Sequence, residues 1–261
     1  MSFDIFLKKE ISEQIKSVKG IVLVIVFLFV AVSSPLVAKL TPEIVKWAME
    51  TTEEMMDMGA LFAMMPEPDS VTSYTEFFSS FNMMCLLALI IVFSGVVANE
   101  KSRGTAAYIL TKNISRTEFI MSKFVSSLIF IFASVIITAG VLRIYTNLLF
   151  NDGLVQLSSF VIYFLILFLY LIFIMSIVLF SSIFAKNVTS ATIMSFLVFI
   201  GFNIWAAIPR VGKYAPPNIN DFNVLLNAKD SRELTIGIII TLAFAVLFLI
   251  AGINLFNKQE L

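Results

Sequence analysis

The densest run of chemically competent side chains in this 261-residue chain lies between Glu100 and Lys123. It contains Glu100, Arg103, Thr105, Thr111, Ser115, Arg116, Glu118 and Lys123, with a long apolar run on either side. The chain has no His, so a His-based triad, an imidazole metal site and a haem His ligand are all excluded. No catalytic residue and no metal ligand is assigned. What these groups can do is shape a short backbone element. Gly104 interrupts the charged stretch, and Thr105 is placed to cap a short helix from Ala106 to Leu110. Asn113 suits the turn that ends that helix, and Ser115-Arg116-Thr117-Glu118 has the spacing of a capping box. A new helix then runs through Phe119 into the next apolar run. A short helix between two capped turns, at the mouth of two membrane spans, is suited to passing force to a soluble partner. The plainer alternative is a basic loop that obeys the positive-inside rule.

The elements that must hold this loop are membrane spans. Hydrophobic residues make up 59% of the chain and charged residues 14%, and mean hydropathy is +0.96. Soluble domains are closer to 45–50% apolar and about 25% charged, so the composition argues against a soluble enzyme. The net charge of zero excludes an electrostatic nucleic-acid binder. Cys85, the single Cys, lies in an apolar run and reads as a small buried hydrophobe. Apolar segments near 20–40, 80–98, 124–145, 157–185, 188–208 and 234–256 are each long enough to cross a bilayer as a helix of about 20 residues. The predicted fold class is therefore all-α, a polytopic membrane protein with six transmembrane helices. Residues 1–19 form an amphipathic helix ahead of the first span: Phe3, Phe6, Leu7, Ile11, Ile15 and Val18 make one stripe, and Lys8, Lys9, Glu13 and Lys16 lie opposite. No cleavable signal peptide is expected.

Basic residues set the orientation. Lys8, Lys9, Lys16 and Lys19 precede the first span, and Lys101, Arg103, Lys112, Arg116 and Lys123 crowd the connection 99–123. The opposite side holds the sparser set Lys39, Lys46, Arg210, Lys213, Lys229 and Arg232. This bias predicts that both termini and the 99–123 loop are cytoplasmic. The connection 41–79 is expected outside. It is acidic and Met-rich, and Thr41-Pro42-Glu43 reads as a helix start. Pro209, Gly212, Pro216 and Pro217 predict a broken element within 209–233. Residues 20–261 are thus read as one six-span domain following the interface helix.

The loop has a recognisable pattern. Glu100, Gly104, Thr105, Ile109, Leu110, Thr111, Ser115, Arg116, Phe119 and Lys123 resemble, in type and spacing, the cytoplasmic loop of permease subunits of type-two ATP-binding-cassette (ABC) exporters. The layout of amphipathic helix, six spans, loop after the second span and broken outer element is also similar. Asn113-Ile114 departs from it, because many such loops carry Pro before the Ser-Arg pair. The resemblance implies a bacterial plasma-membrane subunit that dimerises, most simply with a second copy of itself, and binds two copies of a cytoplasmic ATPase. Because the chain lacks a Gly-x-x-x-x-Gly-Lys-Ser/Thr phosphate loop, ATP and Mg would be held by that ATPase, and this chain is expected to carry no cofactor. The resemblance further implies that Glu100 and Arg116 contact the ATPase or orient the loop. Arg103, Thr111, Ser115 and Glu118 belong to the same loop, Gly104 and Thr105 set its turn and cap, and Ile109 and Leu110 fill an apolar groove on the partner.

The spans offer few polar groups. Asn82, Ser94, Thr138, Asn203 and Asn254 are the candidates for a substrate pathway, with interhelical hydrogen bonding as the alternative for each. No ionisable residue is expected well inside a span, which favours an external ATPase over an ion-coupled transporter or channel. An intramembrane enzyme and a non-transporting scaffold are the remaining readings. A pathway rich in Phe, Ile, Leu and Met, together with a Met-rich outer loop, suits amphipathic or hydrophobic cargo and favours peptides. Exporters of phenol-soluble-modulin-type peptides and peptide-antibiotic immunity permeases are the nearest analogies.

Overall fold

The computed structural model describes residues 3–51, 68–111, 114–150, 155–222, 225 and 231–259. Among them there are no strands, and six helices are long and apolar enough to cross a membrane. Helix α1 (Phe3–Lys16) leads into α2 (Val18–Thr51). The second span is built in pieces: α3 (Ser70–Ser80), a π-helical turn (Phe81–Cys85), α4 (Leu86–Phe93) and α5 (Gly95–Ser102). The short α6 (Thr105–Leu110) follows, then the spans α7 (Arg116–Leu149), α8 (Leu157–Phe184), α9 (Val188–Ala206) and α10 (Ser231–Lys258). Two 3-10 turns, Gly212–Tyr214 and Pro216–Asn220, lie between α9 and α10.

Helix α2 departs from the sequence expectation. Thr41-Pro42-Glu43 is not a helix start, because α2 runs unbroken through Pro35 and Pro42 to Thr51. The residue before each proline back-bonds by one turn. The Ser34 hydroxyl donates to Val30 O (2.7 Å) and the Thr41 hydroxyl to Val37 O (2.7 Å). The carbonyls that lose their amide donor to Pro35 and Pro42 are those of Ala31 and Ala38, so these bonds do not replace the missing ones. The second span likewise begins earlier than the apolar run: Asp69 caps α3 by accepting from Thr72 N at 2.7 Å. The Met-rich stretch of the 41–79 connection lies outside the residues whose side chains are described.

Phe residues knit the bundle together. At the end carrying α6, Phe6, Phe119 and Phe256 stack with centroids 5.9 and 5.5 Å apart, joining α1, α7 and α10. At the other end, Phe77, Phe78, Phe164 and Phe222 form a second aromatic cluster. Between them, the interruption at Ser94-Gly95 would orphan amide donors of α5. The Ser182 hydroxyl of α8 accepts from both Val97 N (3.0 Å) and Ala98 N (2.9 Å) and repairs the break. Cys85 is buried on the π-helical turn.

Where α1 meets α2, the Ser17 hydroxyl donates to Gln14 O and accepts from Gly20 N. A Cβ on Gly20 would stand 2.4 Å from Gln14 O, so only glycine permits this bend. Gly20→Ala is expected to cost about 1–3 kcal/mol as an overpacked site. At roughly 2–4 °C per kcal/mol, thermal unfolding in detergent should move down by several degrees. Gly140→Ala, where the added Cβ meets nothing within 4 Å, should not lower it.

Candidate functional site: the loop helix and its buried anchor

The connection between α5 and α7 is built from local rules. Arg103 N donates to Asn99 O and Gly104 N to Lys101 O, closing α5. Gly104 then adopts φ +70°, ψ 2°, a left-handed conformation that turns the chain sharply into α6. Thr105 is the first residue of α6 and does not cap it. Its hydroxyl donates backward to Glu100 O (3.2 Å), so it closes the helix that ends rather than the one that starts. Ser115 and Glu118 form the capping box. Ser115 Oγ accepts from Glu118 N (3.1 Å), and Ser115 N donates to Glu118 Oε2 (2.8 Å).

Helix α6 has an inner and an outer side. Ala106 is buried, and Ile109 and Leu110 are half-buried against the protein's own core. They pack inward in part and keep part of their surface exposed. Arg103, Thr105 and Thr111 are exposed, and the Tyr108 ring is 64% exposed.

Both ends of the loop are tied to the C-termini of other spans. Lys101 Nζ donates to Ile183 O and Ala185 O at the end of α8. Arg116 Nη1 donates to Phe256 O (2.9 Å), Asn257 O (3.2 Å) and Gln259 O at the end of α10. Each cation meets the orphan carbonyls and the negative dipole end of a helix. Gln259 closes the circuit by donating to Ile183 O at 3.1 Å.

Beneath the loop lies a buried ion triad. Lys123 of α7 donates to Glu10 Oε2 of α1 (3.0 Å) and Glu100 Oε1 of α5 (2.6 Å), with side-chain exposures of 2%, 6% and 19% in that order. Gln14, one turn after Glu10, donates to Ser126 Oγ and Ser127 Oγ, both at 3.0 Å. Lys123 lies in α7 about 10 Å from its start at 1.5 Å per residue, ahead of the apolar run expected from 124 to 145. Glu10 and Gln14 were missed by the sequence reading. The signal was present, since Phe6, Glu10 and Gln14 recur every four residues, which puts a carboxylate and an amide on the same side of α1 as a buried Phe.

The polar residues proposed for a pathway separate into different places. Asn82, on the π-helical turn, and Asn203 line one cavity of about 570 Å³ at the end away from α6, together with Asn218 and Asn220. Asn220 Nδ2 donates to Asn82 Oδ1 at 2.7 Å. Asn203 Nδ2 donates to Phe199 O (2.9 Å). Ser94 is buried and accepts from the Thr192 hydroxyl (2.7 Å), while Thr138 donates to Ser134 O (2.7 Å). Asn254 is exposed on α10. Ser94 thus ties the second span to α9, Thr138 bonds within α7, and of the five candidates the cavity gathers Asn82 and Asn203.

The sequence profile of the ABC-2 family transporter proteins matches residues 5–261. The chain belongs to the ABC-2 transporter family. As an ABC-2 permease it is a multi-pass membrane protein. The permease is also 29% identical, over 147 residues, to the uncharacterized transmembrane protein YxlG of Bacillus subtilis (strain 168). That stretch covers 56% of this chain and 55% of the relative, so the permease spans about half the length of the relative it matches.

Proposed function

We propose that this ABC-2 permease exports amphipathic or hydrophobic cargo, peptides of the phenol-soluble-modulin type foremost, across a bacterial plasma membrane. It acts as a homodimer with two copies of a cytoplasmic ATPase, which holds ATP and Mg. Both termini and the α6 loop face the cytoplasm, and α6 is the element the ATPase pushes. The observation that carries this reading is the construction of the loop. A short helix with Arg103, Tyr108 and Thr111 exposed is fastened at both ends to span termini and underneath to a buried ion triad. Displacement of α6 would be passed to α1, α5, α7, α8 and α10 together. Glu100 and Arg116 act in this reading as positioning residues, because their polar contacts run into the protein's own spans.

The test is reconstitution of the permease in liposomes with an ATPase encoded beside it. Amphipathic peptides should stimulate ATP hydrolysis severalfold and accumulate on the far side. A single cysteine at Arg103 should crosslink to the ATPase and be protected from a membrane-impermeant reagent outside cells. Stimulation by another substrate class with none by peptides would remove the peptide assignment. External labelling at Arg103 would remove the orientation.

A further inference from the structure

The cavity of about 570 Å³ at the end of the bundle away from α6 reaches from the turns between α9 and α10 to Tyr170, which stands about 20 Å along α8 at 1.5 Å per residue. Its rim is a tightly built turn. Asn218 Nδ2 donates to Ala206 O (3.3 Å) and Gly212 O (2.9 Å), and a Cβ on Gly212 would stand 2.2 Å from Ala206 O. The charge around the cavity has one sign. Glu76 of α3 and Asp221 line it, and among its described lining residues there is no Lys or Arg.

The carboxamides are turned to match that charge. The Asn203 nitrogen donates to Phe199 O, the Asn218 nitrogen to two carbonyls and the Asn220 nitrogen to Asn82 Oδ1. A nitrogen held on a carbonyl fixes which way the amide points. The Asn203 and Asn218 oxygens therefore remain as acceptors, and they accept no hydrogen bond among the described residues. The Glu76 carboxylate likewise has no hydrogen bond or ion pair among them. None of these oxygens is sealed from solvent. At the deep end, Tyr170 is 1% exposed as a residue, yet its hydroxyl is open and unbonded among the described residues. A space that offers acceptors and negative charge is matched by a primary ammonium, with three N–H donors and one positive charge. The rings of Phe78, Phe199 and Phe222 add an apolar side, which suits a carbon stem behind the ammonium. The volume admits a side chain or two, and a whole helix about 10 Å across would not fit. We infer that this cavity receives lysine side chains of an amphipathic peptide, with the ammonium among Glu76 and the Asn203 and Asn218 oxygens and the stem on the Phe rings. The inference rests on the peptide reading of the cargo and adds to it a receiving site at the outer end.

The test is a binding titration of the full chain in phosphatidylcholine nanodiscs, with chain-free nanodiscs as the blank. The probes are a fluorescent amphipathic peptide with lysines on its polar face and the same peptide acetylated or trimethylated at every lysine. Acetylation removes the charge, and trimethylation keeps the charge but removes the N–H donors. The unmodified peptide should bind at least about fivefold more tightly than either. Glu76→Gln should erase most of that preference by removing the unpaired charge. Ala207→Trp should do the same by filling the cavity. Ala207 is exposed and offers no polar side-chain atom, so this variant keeps the test decisive should Glu76→Gln fail to fold. Equal affinity for the unmodified peptide and either modified one, or a preference that survives both variants, would overturn the inference. Peptide-stimulated ATP hydrolysis without any lysine preference in binding would overturn it while leaving the proposed function standing. A preference abolished by both variants, with no peptide-stimulated hydrolysis, would establish the site and remove that function.

Discussion

Lys123→Met is expected to be the most destabilising single substitution at the loop end of the bundle. Lys123 is nearly sealed, and its ammonium holds two carboxylates from two other helices, Glu10 and Glu100. Met preserves the length and apolar volume of the side chain and removes only the charge. Two carboxylates would then face each other in a buried site, with only the half-exposed Lys9 ammonium, 3.8 Å from Glu10 Oε1, left beside them. Stripping one partner from a buried ion pair costs about 3–5 kcal/mol, mostly because the remaining charge stays desolvated and unpaired. The expected result is a large drop in thermal unfolding temperature in detergent, with α1 released from α7 and cleaved by protease after Lys16. The triple change Lys123→Met, Glu10→Gln, Glu100→Gln removes all the charges together and should recover most of the loss, since a buried ion cluster replaced as a unit is often near neutral. Glu10→Gln alone should be milder than Lys123→Met, because Lys123 keeps Glu100. If Lys123→Met unfolds at the wild-type temperature, the triad is not what joins α1 to the spans.

The triad also shows where sequence reading stops. Spans are legible because the bilayer demands long apolar runs, and α8 and α9 begin and end within a residue or two of their runs, on either side of Lys186-Asn187. The Ser115–Glu118 box and the turn at Gly104 are legible because each depends on a few neighbouring residues. Glu10 and Glu100 are 90 residues apart, and nothing local says that Lys123 will stand between them. The interruptions misled for a different reason. Pro42 after Thr41 looks the same whether a helix starts there or continues, and the outcome rests on whether the hydroxyl caps forward or donates back one turn, as it does to Val37 O. Thr105 repeats the ambiguity, with its hydroxyl spent on Glu100 O. The π-helical turn at Phe81–Cys85 has no sequence signature in an all-apolar setting apart from Asn82, whose role becomes visible only against Asn220.

Gly104→Val is expected to separate ATP hydrolysis from transport. Gly104 sits at φ +70° with nothing within 4 Å of where its Cβ would be, so an added Cβ meets no neighbour and its penalty is conformational. For an L-residue that penalty is about 1–2 kcal/mol, higher when the side chain is β-branched, and lower for Asn, which tolerates this region. A bias of that size lowers the population of the native loop shape about 5- to 30-fold. The turn lies directly between α5, which carries the anchored Glu100 and Lys101, and α6, which carries the exposed Tyr108. Distorting it changes the angle at which α6 stands while leaving both anchors intact. In proteoliposomes with the partner ATPase, Gly104→Val should insert normally, retain the ATPase and hydrolyse ATP, yet move severalfold less cargo per ATP. Gly104→Ala should fall between Val and wild type, and Gly104→Asn should stay close to wild type. The order Asn, Ala, Val follows backbone preference and cannot arise from crowding, since the site is open. Equal transport per ATP across the three variants would mean that α6 passes no force through this turn. The work would then have to enter the spans by another route, such as Arg116 on the carbonyls of α10.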